Sequence, residues 1–154
     1  MVSLNIRNSL AKAKKQFLFV SHDLKVVAIH LKVVAILDVI KDEKLQGNAL
    51  QVGGQLKAEL EDLKTKHDLI GDVRGMGLFI GIELVVNRET LEPARDKAYY
   101  IIEKMKELGI LLSIDGPLHN VIKIKPPLVF SKSNAEFLID KLDEVIQDKV
   151  LQDL

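Results

Sequence analysis

The stretch from Leu69 to Val86, LIGDVRGMGLFIGIELVV, constrains the fold more than any other part of the sequence. β-Branched and other apolar residues dominate it, and glycines stand at positions 71, 75, 77 and 81. Runs of this composition form strands, and a glycine within a strand marks a bend, a bulge or a close backbone contact. We therefore predict two strands that are joined near Gly75.

Helical patterns precede these strands. The string LKVVAI begins at Leu24 and is repeated from Leu31, a spacing that places both copies on one face of a helix. The first copy also suits a strand, whereas the second continues into LDVIKDEKL and predicts a helix. We expect Gly47-Asn48 to end that helix. A second helix then follows, with apolar residues at Val52, Leu56, Leu60 and Leu63.

A third helix is predicted after the strands. We place Pro93 at its first position, where the missing N–H costs nothing, and Gly109 at its left-handed cap. Its apolar stripe consists of Ala94, Ala98, Ile101, Ile102, Met105 and Leu108.

A second strand pair and a last helix complete the pattern. The apolar run of residues 110–113 and the alternating residues 120–125 form the strands, and Asp115-Gly116-Pro117 between them has the composition of a turn. Ser133, with Glu136 three residues later, is expected to cap the last helix.

The order of these elements predicts an α+β fold, in which a small, mostly antiparallel sheet has helices packed on one face. The chain has 154 residues, of which 47% are apolar, which is enough for one core and too little for two ordinary domains. We therefore expect a single globular unit.

Composition excludes several classes of function. Lys plus Arg and Asp plus Glu both total 22, so no net charge attracts nucleic acid or an anionic membrane. The chain has no cysteine, and its four histidines have no metal-ligand spacing. Charged residues interrupt the apolar stretch of residues 24–40, which argues against a transmembrane helix. From these patterns alone we predict no catalytic residue, no metal ligand and no cofactor ligand.

Three separated segments carry a resemblance to a known family. They are LDVIKDEKLQGNA, HDLIGDVRGMGLFIGIELV and KMKELGILLSIDGPLHNVIKIKPPLVF. In this order they resemble class III pyridoxal-phosphate-dependent aminotransferases, and in particular the branch of ethanolamine-phosphate and phosphohydroxylysine phospholyases, also described as alanine-glyoxylate aminotransferase 2-like. The resemblance implies that residues 31–154 form the C-terminal small domain of a fold-type I pyridoxal-phosphate enzyme.

Residues 1–30 do not take part in this resemblance. We expect them to be a leader outside the domain, either disordered or produced by a rearranged gene end, for which the LKVVAI duplication is the evidence. The basic, acid-free start of the chain fits a mitochondrial transit peptide or an ordinary solvated terminus. Mitochondrial and cytoplasmic locations are therefore both open.

The resemblance also implies what this chain lacks. In the family a large domain holds pyridoxal phosphate through a Schiff-base lysine, an aspartate and a phosphate cup, and the resemblance places none of them here. We therefore expect no cofactor on this chain alone, and no activity without the large domain of a related chain or a homodimer partner. The implied reaction is transamination, or elimination of phosphate and ammonia from a phosphorylated amine.

Lys123 is the one candidate site residue. The resemblance places it where transaminases of the family have an arginine that binds the substrate carboxylate, and lysine offers a point charge instead of that planar fork. It is therefore predicted to bind substrate, and the alternative is that it projects into water from a strand edge. Arg74 shapes the mouth of a substrate site, or it only positions the turn beside Gly75 or pairs with Asp72.

A second class of function is also open. The chain is alternatively a non-catalytic α+β module that binds a protein or a metabolite. Exposed apolar surface would favour such docking.

Overall fold

The computed structural model describes residues 24–153, and side chains between residues 31 and 151. The predicted leader therefore lies largely outside the described residues. The chain divides into two compact units, with the boundary between Gln46 and Gly47. The helices are α1 Leu24–Asp42, α2 Leu45–Lys66, α3 Arg95–Glu107, α4 Lys132–Ile146 and α5 Lys149–Asp153; the strands are β1 Ile70–Met76, β2 Phe79–Asn87, β3 Glu92–Pro93, β4 Ser113–Asp115 and β5 Val121–Ile124.

The break between the first two helices lies at a different position from the predicted one. Both copies of LKVVAI lie within α1, so the first copy is helical. The predicted break at Gly47-Asn48 is wrong, because α2 runs through both residues. The chain turns instead at Lys44, whose φ of 52° is left-handed. The Asn48 amide donates to the carbonyl oxygens of Leu128 and Phe130, which gives this weak helix former a tertiary role.

The predicted antiparallel sheet is confirmed. Its strands follow the order β1-β2-β5-β4, each pair is antiparallel, and the short β3 pairs with β2. Residues Gly77 and Leu78 form the loop between β1 and β2, two residues after the predicted junction. Gly77 has a φ of 56°, as expected for the first central residue of a hairpin turn that matches the strand twist.

Alternation along the strands separates a buried face from an open one. Ile80, Ile82 and Leu84 of β2 are buried, and Ile122 and Ile124 of β5 lie beside them. The helices supply the rest of this core, so the sheet has helices on one face, as predicted. Their buried residues in this core are Val52, Leu56, Leu60, Leu63, Ala98, Ile101, Met105, Ala135, Leu138, Leu142, Val145, Ile146 and Leu151.

Helix α2 approaches the β1–β2 hairpin very closely at Gly53. A Cβ atom at this position would lie 2.0 Å from the carbonyl oxygen of Gly77 and 2.2 Å from its carbonyl carbon. Both are backbone atoms, so the contact requires a residue without a side chain. The pair Gly53-Gly54 weakens the helix by propensity, but Gly53 allows the helix to pack closely against the hairpin.

The ends of the later helices confirm one prediction and correct two. Gly109, with a φ of 83°, follows α3, and the Gly109 and Ile110 N–H groups donate to the carbonyls of Lys106 and Met105. Pro93 lies on the edge strand β3 rather than in α3, where its missing N–H is equally harmless. Ser131, not Ser133, caps α4, because its side chain accepts from the Asn134 N–H.

A histidine–carboxylate contact fastens the end of α2 to α4. His67 Nε2 lies 2.5 Å from Asp143 Oδ1, and Gln147 Nε2 donates to the same oxygen at 2.8 Å. Burial alone would raise the pKa of Asp143, but these hydrogen bonds outweigh it and the pKa is lowered. Since the carboxylate is favoured in the folded chain, its contribution to stability is present above the ordinary pKa of 3.8 and is lost as the pH falls through the lowered value.

Substituting Asp143→Ala is therefore expected to lower the free energy of unfolding by about 1–2 kcal/mol at neutral pH, because His67 loses a charged acceptor. The deficit should shrink as the pH falls below the ordinary value of 3.8 and the wild-type carboxylate itself becomes protonated. Urea denaturation at neutral and at acidic pH measures it. Asp140→Ala, an exposed site on the same helix, is the control; a deficit that is the same at both pH values would contradict the assignment.

Within the described part of the chain, no helix has the length and apolar character needed to cross a membrane.

Candidate functional site

The candidate site lies on the sheet face that is turned away from the helices. We call this surface the open face; it consists of Arg74, Gly81, Lys123, Ser113, Asp72, Glu83, Val121 and Asp115. In the register, Gly81 pairs with Arg74 on one side and with Lys123 on the other. Ser113 of β4 continues this row beyond Lys123. Two cations therefore flank a glycine at the centre of the face.

A row of carboxylates lies next to the row of cations. Glu83 pairs in register with Asp72 and Val121, and Asp115 lies opposite Val121. The predicted strand at residues 110–113 is displaced in the structure, because β4 comprises Ser113–Asp115. Asp115 was predicted as a turn residue, and its place on a strand brings its carboxylate to the open face.

Arg74 is held by two of these carboxylates. Its Nη1 donates to Asp72 at 2.9 Å and to Glu83 at 2.5 Å. These hydrogen bonds raise the pKa of the guanidinium above its ordinary value. The predicted pairing with Asp72 is therefore found, and Glu83 is an additional partner. Arg74 is consequently the less available of the two cations.

Lys123 lies on β5, between β2 and β4, so the alternative of a strand-edge lysine is wrong. Its Nζ donates to Asp115 Oδ2 at 2.8 Å, and about a third of its side chain is exposed. The hydrogen bonds from Lys123 and from the Gly116 N–H hold the pKa of the Asp115 carboxyl below its usual range. Among the described side chains, this central cation thus has a single ionic partner.

A shallow cavity of about 420 Å³ opens over this part of the sheet, and both Arg74 and Lys123 line it. Gly81 forms its floor. A Cβ atom there would lie 3.2 Å from a methyl group of Val121 and 4.0 Å from Cγ of Arg74. The glycine therefore leaves room between the cations for a small anionic group.

Apolar side chains project at one end of the open face. Met76 and Phe79 pair in register at the hairpin and are 81% and 57% exposed. Leu111, just before β4, is 82% exposed. Large exposed apolar residues beside a polar site are typical of a surface that another protein segment covers.

The described residues do not fit pyridoxal phosphate as the chain's own cofactor. A lysine that forms a Schiff base is activated by burial or by a neighbouring cation. Among the side chains described, Asn120 is the only buried polar one, so no lysine here is buried. Asn120 itself donates to the Leu84 carbonyl and joins β5 to β2. Lys123 is hydrogen-bonded to the Asp115 carboxylate.

The sequence patterns located part of this site. The segment resemblance picked out Lys123, and the structure brings it next to Gly81 and Asp115. Glu83 was missed, although its alternation with buried Ile82 and Leu84 indicates the same face as Gly81. No group of three or more potential metal ligands occurs in the described part of the chain.

Comparison with known proteins identifies the family. The model of the class III aminotransferase family matches residues 26–146. An Arabidopsis thaliana protein named alanine–glyoxylate aminotransferase 2 homolog 2, mitochondrial, is 49% identical over 110 residues, which are 71% of this chain and 23% of the relative. The Caenorhabditis elegans ethanolamine-phosphate phospho-lyase homolog 1 is 45% identical over 115 residues, 74% of this chain and 25% of its own.

A solved structure shows the same fold. A phospholyase from Arthrobacter, in complex with phosphoethanolamine, superposes with a TM-score of 0.71 and 35% identity, over 73% of this chain and 27% of that one. The chain thus spans about a quarter of the length of the relatives it matches. Its α+β architecture is that of a part of a fold-type I enzyme. The predicted resemblance is confirmed, and the chain belongs to the class III aminotransferase family, whose members use pyridoxal phosphate.

Proposed function

We propose that this chain acts as the C-terminal small domain of a phospholyase-type class III enzyme, which eliminates phosphate and ammonia from a phosphorylated amine. In this proposal a large domain supplies the cofactor, and the present chain supplies part of the substrate site. The observation that carries the proposal is the position of Lys123, a cation on an interior strand, beside the glycine floor of an open cavity.

Lys123 is proposed to bind the phosphate group of the substrate. An ammonium group binds a phosphate oxygen as a compact point charge, and it cannot form the planar fork with which arginine holds a carboxylate. The similarity to a phospholyase that binds phosphoethanolamine supports this choice of substrate class. The chemistry at the amine belongs to pyridoxal phosphate, so the residues of this chain bind and orient the substrate.

The partner that we propose is the large domain of a related chain, and a homodimer partner is the alternative. The exposed Met76, Phe79 and Leu111 support a covering segment beside the site. They also favour the second candidate function, a non-catalytic module that docks through the same surface. A mitochondrial location is supported by the name of the Arabidopsis relative, with the cytoplasm as the alternative.

The chain alone is expected not to bind pyridoxal phosphate specifically, because no described lysine is buried. Titration of the purified chain with the cofactor should give no saturable absorbance band from lysine-bound pyridoxal phosphate. A band that reaches one equivalent, survives dialysis and maps to one lysine after borohydride reduction would overturn this part of the proposal. Serum albumin serves as the control for unspecific reaction with surface lysines.

A further inference from the structure

The two carboxylate oxygens of Asp115 accept hydrogen bonds from different donors. Oδ2 of Asp115 accepts from Lys123 Nζ at 2.8 Å, while Oδ1 accepts from the Gly116 N–H at 2.8 Å. The second bond does not depend on the lysine. If Lys123 binds another anion instead, the hydrogen bond from the Gly116 N–H to Oδ1 therefore keeps Asp115 beside Lys123.

The exposed position of Asp115 means that breaking its contact with Lys123 costs little free energy. Asp115 belongs to the edge strand β4, and 58% of its side chain is exposed, against 32% for Lys123. Water can solvate the carboxylate as soon as its contact with the lysine opens, and exposed ion pairs contribute little to stability. An exposed aspartate is ionised at neutral pH even without a cationic partner, so Asp115 remains an anion throughout the exchange.

Arg74 provides the contrast on the same face. Two carboxylates, Asp72 and Glu83, bind its guanidinium, and both would have to move before an outside anion could replace them. Lys123 has one ionic partner among the described residues, and that partner lies on an edge strand. An anion that enters the cavity is therefore expected to displace the single partner of Lys123 more readily than the two partners of Arg74.

We infer that Asp115 is a displaceable counter-ion, which competes with phosphate for Lys123 and lowers the affinity of the site for phosphate. This inference rests on the proposed function, in which Lys123 receives the phosphate group. Asp115 occupies Lys123 in the empty site and repels a bound phosphate at short range. Since inorganic phosphate is a product of the proposed reaction, the same competition favours its release. Asp115 is thus a residue that tunes binding and has no part in bond breaking.

The test is a titration of the full chain with inorganic phosphate at low ionic strength, followed by the amide NMR signals of Gly81 and Lys123. Asp115→Asn removes the charge and retains the oxygen that accepts from the Gly116 N–H. We expect it to tighten phosphate binding at least about fivefold. Asp140→Asn, at an exposed position on α4, should stay within about twofold of wild type, since α4 packs on the other face of the sheet from Lys123.

Lys123→Gln separates the inference from the proposed function. It should abolish the phosphate-dependent shifts, and in that background Asp115→Asn should change affinity by less than about twofold. If Lys123→Gln loses binding but Asp115→Asn behaves like Asp140→Asn, the counter-ion inference is wrong and the role of Lys123 stands. If Lys123→Gln binds phosphate like wild type, or if no variant binds it, both are wrong. Thermal melting of each variant confirms that the fold is retained.

Discussion

Gly53→Ala is expected to destabilise the domain by about 3–4 kcal/mol, which is a large effect for the addition of one methyl group. The new Cβ would lie 2.0 Å from the Gly77 carbonyl oxygen, so helix α2 or the β1–β2 hairpin must shift. Neither moves easily, because Leu56 and Ile80 are buried in the same core. The free energy of unfolding, measured by urea denaturation, reports the loss.

Gly54→Ala is the matched control for this prediction. Gly54 lies next in the same helix and is exposed, and a Cβ atom added there would have no other atom within 4 Å. Alanine should therefore stabilise the helix there by about 0.5–1 kcal/mol through propensity alone. If both variants changed stability by a similar amount and with the same sign, the close approach of α2 to the hairpin would be wrong.

Lys123→Gln is expected to have the largest effect on function. The measurement uses a chimera, in which residues 47–154 replace the corresponding segment of the Arthrobacter phospholyase, about 27% of that chain. A lost charge-assisted hydrogen bond is worth about 1.5–3 kcal/mol. The value of kcat/KM for phosphoethanolamine should therefore fall roughly 10- to 100-fold.

Two further variants of the chimera show whether the effect of Lys123→Gln comes from its charge and its position. Lys132→Gln removes an exposed lysine from the start of α4, and kcat/KM should remain within about twofold of the unsubstituted chimera. Lys123→Arg keeps the charge in a planar shape, and should recover part of the lost rate with phosphoethanolamine. An unchanged kcat/KM in Lys123→Gln would show that Lys123 does not contact the substrate.

The regular elements were predictable because their signals are local. In α2, the residues that the 3.6-residue period indicates are buried, namely Val52, Leu56, Leu60 and Leu63. Gly109 likewise ends α3 through a left-handed conformation that favours glycine. In both helices the sequence signal lies in the residues of the helix itself or directly at its end.

The errors arose where a distant contact determines the local structure. Asn48 stays within a helix because its amide binds two carbonyls about eighty residues away. Asp115 has the composition of a turn residue, yet pairing of β4 with β5 places it on a strand. Glu83 gains its role only when β1 brings Arg74 beside it. The contacts of Asp115 and Glu83 follow from strand register, which one sequence does not specify locally.

The resemblance to the family indicated Lys123, whereas the residues around Lys123 are known only from the structure. Nothing in the spacing of the residues alone distinguishes Lys123 from Lys125 two positions later. The structure separates them, because Lys123 lies beside Gly81 and pairs with Asp115, whereas Lys125 follows the end of β5. The candidate site therefore depends on both kinds of observation.

The release of inorganic phosphate from phosphoethanolamine by the unsubstituted chimera tests the central claim most directly. If the present chain is the small domain of a phospholyase-type enzyme, the chimera should release phosphate at a rate within about tenfold of the Arthrobacter parent. A chimera that folds, binds pyridoxal phosphate and releases no phosphate, while it transfers the amino group of a carboxylate-bearing substrate, would contradict the proposed substrate class.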